Sequence, residues 1–296
     1  MDYVYCKTGA INTFTCVDDT CINFRLLRVK LDPTDKNTKD LFSRARDRFE
    51  VAELNDADSG AKNRTDQAKK YSGFIGFVAE EIIYQALILF NEKVINNGYS
   101  DKIEISLDDS NTAKDQVDIR IKKSFYDKNK IKQTKSYTVE IRSSMPAKDT
   151  LDTVCRNFDI LGPYFNAVKP SEIKKDFYIR GIFDLKYDDY PELHETYPSK
   201  YGPKIDYKIT APKILAEVYI DQNLNLIHPL DFYIPGGATN DMMDDDALAY
   251  NGKMENDKFK NPKGFFRKIK LHKSLDAVSI ISRVLSTVND EHMKGK

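Results

Sequence analysis

Apolar and polar residues alternate with a period of two over residues 116–122 and again over 137–144, the pattern of half-buried strands. In the first stretch Val117, Ile119 and Ile121 share one face, and Asp118, Arg120 and Lys122 the other. In the second, Tyr137, Val139 and Ile141 oppose Thr138, Glu140 and Arg142. The polar, lysine-rich residues 124–136 lie between them, and Asp127-Lys128-Asn129-Lys130 suits a hairpin tip. Pairing the two strands puts Asp118 and Glu140 on one face of a sheet. Two carboxylates flanked by cationic side chains can bind a divalent metal and a phosphate together.

Longer periods mark the helices. Residues 36–53 carry an apolar stripe through Leu41, Phe42 and Phe49. Residues 72–95 are apolar at almost every turn, with Ser72 as cap and Asn97-Gly98 as stop. Glu80 and Glu81 sit in the middle of that helix. A charge there needs a partner or a metal, unless both lie on a narrow exposed strip. Helical spacing also predicts a helix over 147–164, ended by Gly162-Pro163, and a last helix capped by Ser274 with Leu275, Val278, Ile281 and Leu285 on one face.

Further strands are expected within 1–30 (24–30 the clearest), at 102–107, 176–185 and 213–220, and over 231–234, where Pro235-Gly236-Gly237 breaks the pattern. The acidic run 241–246 reads as the cap of a helix opening at Ala247-Leu248-Ala249 rather than as a metal cluster. Three segments have polar or basic character suited to phosphates. The loop 55–67 carries Lys62 and Arg64, and otherwise is a solvated loop. The irregular stretch 187–212 holds five tyrosines, and otherwise packs on its own aromatics. The basic, aromatic stretch 253–273 includes Lys263, Arg267, Lys268 and Lys270. With no repeat, low-complexity tract or flexible linker, residues 1–296 read as one domain.

An Asp at the start of one strand, a variable hairpin and Glu-x-(basic) on the next resemble the PD-(D/E)XK nuclease superfamily, whose best-known members are the Type II restriction endonucleases. The pieces are Asp118 and Glu140-Ile141-Arg142, with Val117 where the family name has Pro and Arg142 where it has Lys. The resemblance covers about 72–185, leaving 1–71 as an extension and 186–296 as a DNA-contacting region. It implies an α/β, restriction-endonuclease-like core, with a central mixed sheet flanked by helices and irregular DNA-binding segments at the periphery. It also implies Mg2+ (or Mn2+) held by Asp118, Glu140, the Ile141 carbonyl and Glu80, and hydrolysis of double-stranded DNA at a specific sequence by a homodimer. Arg142 can supply positive charge but no proton acceptor. Lys122, on the face of Asp118, is the first candidate to substitute. The alternative is a nuclease-fold protein that lost catalysis and kept a binding or structural role.

Composition narrows this little. Lys plus Arg and Asp plus Glu are 46 each, so the net charge is zero. That does not favour a non-specific polyanion binder, though a neutral total can hide a basic cleft. No apolar run is expected to span a membrane and no secretory pattern opens the chain. Cys6, Cys16, Cys21 and Cys155 form no CxxC pair, as for reduced thiols in a cytoplasm. His194, His228 and His272 lack a nucleophile context, and the glycines form no phosphate-binding loop.

Overall fold

The computed structural model describes residues 25–51, 66–96, 103–107, 117–126, 129–145, 158–165, 173–185, 218–252 and 265–286, and the backbone of 3–5, 14–15 and 21–22. The fold is mixed α/β, a curled mixed sheet flanked by helices. Its longest inner antiparallel stretch is built on β10 (Leu230–Thr239), paired with β4 (Leu27–Leu31) on one side and β9 (Phe177–Asp184) on the other. Outside β4 lies β1 (Tyr3–Tyr5). Beyond β9 come β7 (Lys132–Ser144), β6 (Ile119–Tyr126) and β5 (Ile103–Leu107), and β13 (Leu275–Asp276) adds to β10. Every pairing in this sheet is antiparallel except β7 with β9.

One face is covered by α1 (Lys36–Val51), α2 (Asp66–Asn96) and α4 (Ala277–Leu285). α2 forms because its apolar residues fall on one wide stripe. Tyr71, Phe74, Ile75, Val78, Ala79, Ile82, Ile83, Ala86 and Leu87 are all buried, at alternating steps of three and one. α1 packs its own stripe on it, with Phe42 and Phe49 edge-on to Phe74 at 6.0 and 5.8 Å. Contrary to the expectation of no spanning run, Lys70–Glu92 is long and apolar enough to cross a membrane by length and composition. Half of that window is buried inside the fold.

The opposite face carries a small sheet of β11 (Ala249–Gly252), β12 (Phe265–Lys270) and β8 (Asp159–Phe165). Ile160, Ile269, Ala249 and Met243 close on Tyr178 and Ala238 there. Apart from these, β2 (Phe14–Thr15) pairs only with β3 (Cys21–Ile22) among the described residues.

Several elements differ from expectation for local reasons. Residues 159–165 are strand, not the end of a helix; 147–157 lie outside the described residues. β8 is an edge strand, where Pro163 loses no ladder bond. The register against β12 slips at this point, passing from Leu161 opposite Lys268 to Tyr164 opposite Phe266. Gly162 faces Met243 so closely that a Cβ would lie 2.6 Å from its sulfur.

β10 likewise runs straight through Pro235-Gly236-Gly237, which form a bulge rather than a stop. The acidic run does not cap a following helix. It forms the short α3 (Asn240–Asp244), capped by Thr239, and Ala249 begins a strand. The last helix is capped by Asp276, whose carboxylate accepts from the Ser279 N–H at 2.7 Å, while Leu275 pairs with β10. α2 starts at Asp66, so Ser72 lies inside it. Of the strand expected over 213–220, only 218–220 is described, and Ile220 makes an isolated bridge to Leu226.

Candidate active site

β6 and β7 form the hairpin that alternation requires, in the register Ile119–Val139, Arg120–Thr138 and Ile121–Tyr137. Ile119, Ile121 and Val139 are fully buried in the core, so their neighbours turn the other way. Asp118 immediately precedes Ile119 and Glu140 immediately follows Val139, so both leave the open end of the hairpin on that other face. Both are nearly enclosed, 8% and 7% exposed. The Ile141 N–H donates to the Asp118 carboxylate at 2.5 Å. A strand residue's N–H and C=O point to the same neighbour, so the Ile141 carbonyl also points toward the side of Asp118.

A third carboxylate reaches them from α2. Burial pushes the Glu80 carboxyl up to about 7. The Arg48 guanidinium, 2.8 Å away, offsets part of this, while the charges of Glu140 and Glu81 add to it. Burial raises Asp118 to about 8, with the Glu80 charge as the next cause. The Ile141 N–H, Arg142 and Lys175 pull it down. Glu80 is therefore the member of the helix pair that shares the field of Asp118 and Glu140. Glu81, almost fully buried, is held by Arg44 at 3.0 Å and Arg48 at 3.7 Å.

Arg142 points into the same cleft, as a shared face with Glu140 demands, and its guanidinium lies 3.0 Å from the Glu140 carboxylate. It also lies over the Phe266 ring at 5.8 Å. Across the parallel pairing it stands beside Arg180. Arg180 is buried, donates to the Ser144 hydroxyl and lies over Phe158 at 5.2 Å. Arg142 thus borders the acidic cluster from β7, and Arg180 stands next to it on β9.

The lysine nearest the carboxylates is not the expected one. Lys122 does share the face of Asp118, but it lies four steps further along, roughly 13 Å away, and its side chain is exposed. The structure does not bring it to Asp118. Lys175 is buried, and its charge acts on Asp118 directly. It lies two residues before Phe177, which pairs with Val139, so the β7–β9 register carries it to the end of the sheet where Glu140 stands. Its backbone N–H donates to the Tyr178 hydroxyl at 2.9 Å. Parallel pairing leaves no local trace in sequence, and the lysine pair before the strand at 176–185 was the one available signal.

The basic residues of β12 are engaged within the molecule. Asp159 of β8, itself buried, lies 3.6 Å from Lys268 and 3.1 Å from Lys270, and accepts from the Tyr250 hydroxyl at 2.7 Å. Lys268 is only 3% exposed, which turns it away from any external phosphate. Arg267 donates to the Met243 carbonyl at 2.7 Å and pairs with Asp246 at 2.5 Å. Lys62, Arg64 and Lys263, and the stretch 187–212, lie outside the described residues.

The donor set suits a hard divalent cation in kind: opposed carboxylate oxygens, a carbonyl directed beside them, and acids whose mutual repulsion a cation would relieve. Among the described residues no group of three or more His, Cys, Asp or Glu side chains is arranged to hold a metal. Mg2+, however, keeps several waters and binds through one or two carboxylates, the number that Asp118 and Glu140 provide.

No family model matches the chain, and no solved structure matches it. It is 30% identical over 187 residues to a protein of Methanocaldococcus jannaschii named Uncharacterized protein MJECS01. That match takes in 60% of this chain and 59% of the archaeal protein, so the chain spans well under two thirds of the relative's length.

Proposed function

We propose that the protein is a metal-dependent nuclease acting on double-stranded DNA, built on a restriction-endonuclease-like core. The observation that carries this reading is the placement of Asp118 and Glu140 side by side at the open end of one hairpin, tied by the Ile141 N–H, with Glu80 close enough for its charge to act on both. Asp118, Glu140 and the Ile141 carbonyl would hold Mg2+ or Mn2+, with Glu80 shaping the field behind them. When bound, the cation lowers the pKa of a water and neutralises charge on the scissile phosphate.

The remaining work falls to side chains. Arg142, with Arg180 next to it on β9, faces developing negative charge, where a preorganised cation is worth most. Arginine keeps its proton at any working pH, whereas lysine exchanges one. Lys175 is therefore the residue suited to move a proton at the attacking water, the role first given to Lys122.

A second reading has its own support. The ion pair between Arg142 and Glu140 engages one of the two ligands, as in a nuclease-fold protein that no longer cuts. Incubation with phage DNA and Mg2+, read on a gel, separates the two. Discrete fragments from the wild type, abolished by Asp118→Ala and by Glu140→Ala, support the enzyme. Uncut DNA, with no millimolar Mg2+ or Mn2+ binding by calorimetry, supports the second reading.

A further inference from the structure

We infer that the face of the β6–β7 ribbon carrying Asp118 and Glu140 is the track on which duplex DNA lies, extending outward from the cutting site. The track rests on the nuclease reading for its polyanion and on its own geometry for its course.

The ribbon is long. From Asp118 to the end of β6 at Tyr126 is eight residues, roughly 25 Å of strand. Alternation separates its two faces. Arg120, Lys122 and Ser124 of β6 share the Asp118 face, and Lys132, Thr134, Ser136 and Thr138 of β7 share the Glu140 face. The Ser124 and Thr134 hydroxyls lie 3.2 Å apart across the pair, which confirms that these rows are one surface. Lys122, Lys132, Thr134 and Ser136 are exposed, and Arg120, Ser124 and Thr138 half-buried.

Cations and hydroxyls in a row are the groups that contact sugar-phosphate backbones. Two acids border the row. Glu104 of β5 stands opposite Lys122, and Asp176 accepts from the Thr138 N–H and hydroxyl at 2.7 and 2.9 Å. Neither lies on the outer half of the ribbon.

Near the carboxylates the other face is directed into the molecule, while further out its Gln133 and Lys135 are exposed and set apart from the track only by pointing the opposite way. Ile119 and Ile121 are buried, Lys123 donates to the Ser286 carbonyl at 2.6 Å, and Lys135 lies over the Tyr137 ring at 4.9 Å. The competing basic surface on β12 is satisfied by Asp159 and Asp246. A two-stranded ribbon enters the major groove of B-DNA, while the deep, narrow groove of A-form RNA excludes it. That selects duplex DNA as the occupant.

The test is fluorescence anisotropy with a labelled duplex of about 30 base pairs in EDTA, titrated with salt. Each lost phosphate contact flattens the slope of log K against log salt by about 0.9. Lys122→Gln combined with Lys132→Gln should flatten it by about 2, with an unchanged melting temperature. Lys135→Gln and Lys270→Gln should leave it as in wild type. The inference is overturned if the double variant keeps the wild-type slope, if Lys135→Gln flattens it equally, or if single-stranded RNA of the same length binds more tightly than the duplex. Cleavage assayed in parallel with Mg2+ separates the two ideas. A wild type that never cuts, but whose slope falls in the double variant, leaves the track standing and removes the nuclease. A wild type that cuts, with a slope the double variant retains, does the reverse.

Discussion

Replacing Asp118 with Asn should make the metal-free protein more stable at alkaline pH while abolishing cleavage. Asp118 is 8% exposed and lies in the field of Glu80, and its carboxyl is raised from 3.8 to about 8. A folded-state pKa above the unfolded one means that the native state binds more protons between those values. Stability in EDTA therefore falls as pH rises from about 4 to about 8 and levels off above. Every tenfold gain in proton affinity on folding corresponds to about 1.4 kcal/mol, so the ionised group opposes folding by at most about 6 kcal/mol. Because Glu80 and Asp118 raise each other, the recoverable share is smaller, on the order of 2–3 kcal/mol. Asparagine keeps an oxygen for the Ile141 N–H, so the substitution removes charge without orphaning a donor. For a chain of this length that gain is an increase of about 4 °C in Tm. The assay is thermal melting in EDTA at pH 5 and pH 8.5. Asp118→Asn should lead wild type by a small margin at the lower pH, where little of the penalty has built up, and by the full margin at the higher one. An Asp118→Asn protein that melts at or below wild type at pH 8.5 would refute the idea that these carboxylates are crowded and waiting for a cation.

In single-turnover cleavage at saturating Mg2+, Lys175→Gln should lower the rate about a hundredfold or more without weakening duplex binding, and Lys175→Arg should not rescue it, because arginine cannot accept the proton; rescue by Arg would reduce Lys175 to a charge. Arg142→Ala should cost on the order of a hundredfold, while Arg142→Lys should retain activity; an Ala variant as fast as wild type would make the ion pair with Glu140 purely structural. Gly237→Ala should destabilise by about 3 kcal/mol in a urea melt, because its Cβ would lie 2.4 Å from the Tyr178 carbonyl and 2.7 Å from Ile280; wild-type stability would mean that β9 and β10 separate there at little cost.

What could be read from sequence follows from how local the information is. The β6–β7 hairpin was legible because alternation sets the faces and so puts Asp118 and Glu140 on one of them, and α2 because its stripe recurs over many turns. β8 was not. Phe158 and Leu161 continue a helical spacing from residues 151–155, and Gly162-Pro163 reads as a stop unless one knows that the strand lies on an edge against Met243. The same holds for Pro235-Gly236-Gly237, a break in one dimension and a bulge within a sheet. The basic stretch on β12 looked like a surface because Asp159, which binds Lys268 and Lys270, lies more than a hundred residues earlier. Lys175 and Arg180 join the site through the parallel register with β7, and parallel pairing across a long crossover has no short-range signature.

β10 holds the sheet from both directions in time as well as in space. It pairs with β4, and also with β13, which precedes α4. Residues 251 positions apart meet there: Arg25 grips Asp276 at 2.5 Å, and the Ala277 N–H donates to the Arg25 carbonyl at 3.0 Å. During synthesis, β4 emerges from the ribosome about two hundred residues before β10, the inner strand it pairs with, and must wait for it with that edge unpaired, while α1 can already pack on α2. At elongation rates of about 5–20 residues per second, that wait lasts on the order of ten seconds or more. Contacts this distant in sequence close slowly even once the chain is free. A nascent or truncated chain ending before Leu275 would present β10 without β13 or α4 and with Ile280 missing from the core, a state more open to chaperone capture and aggregation than to gradual loss of activity.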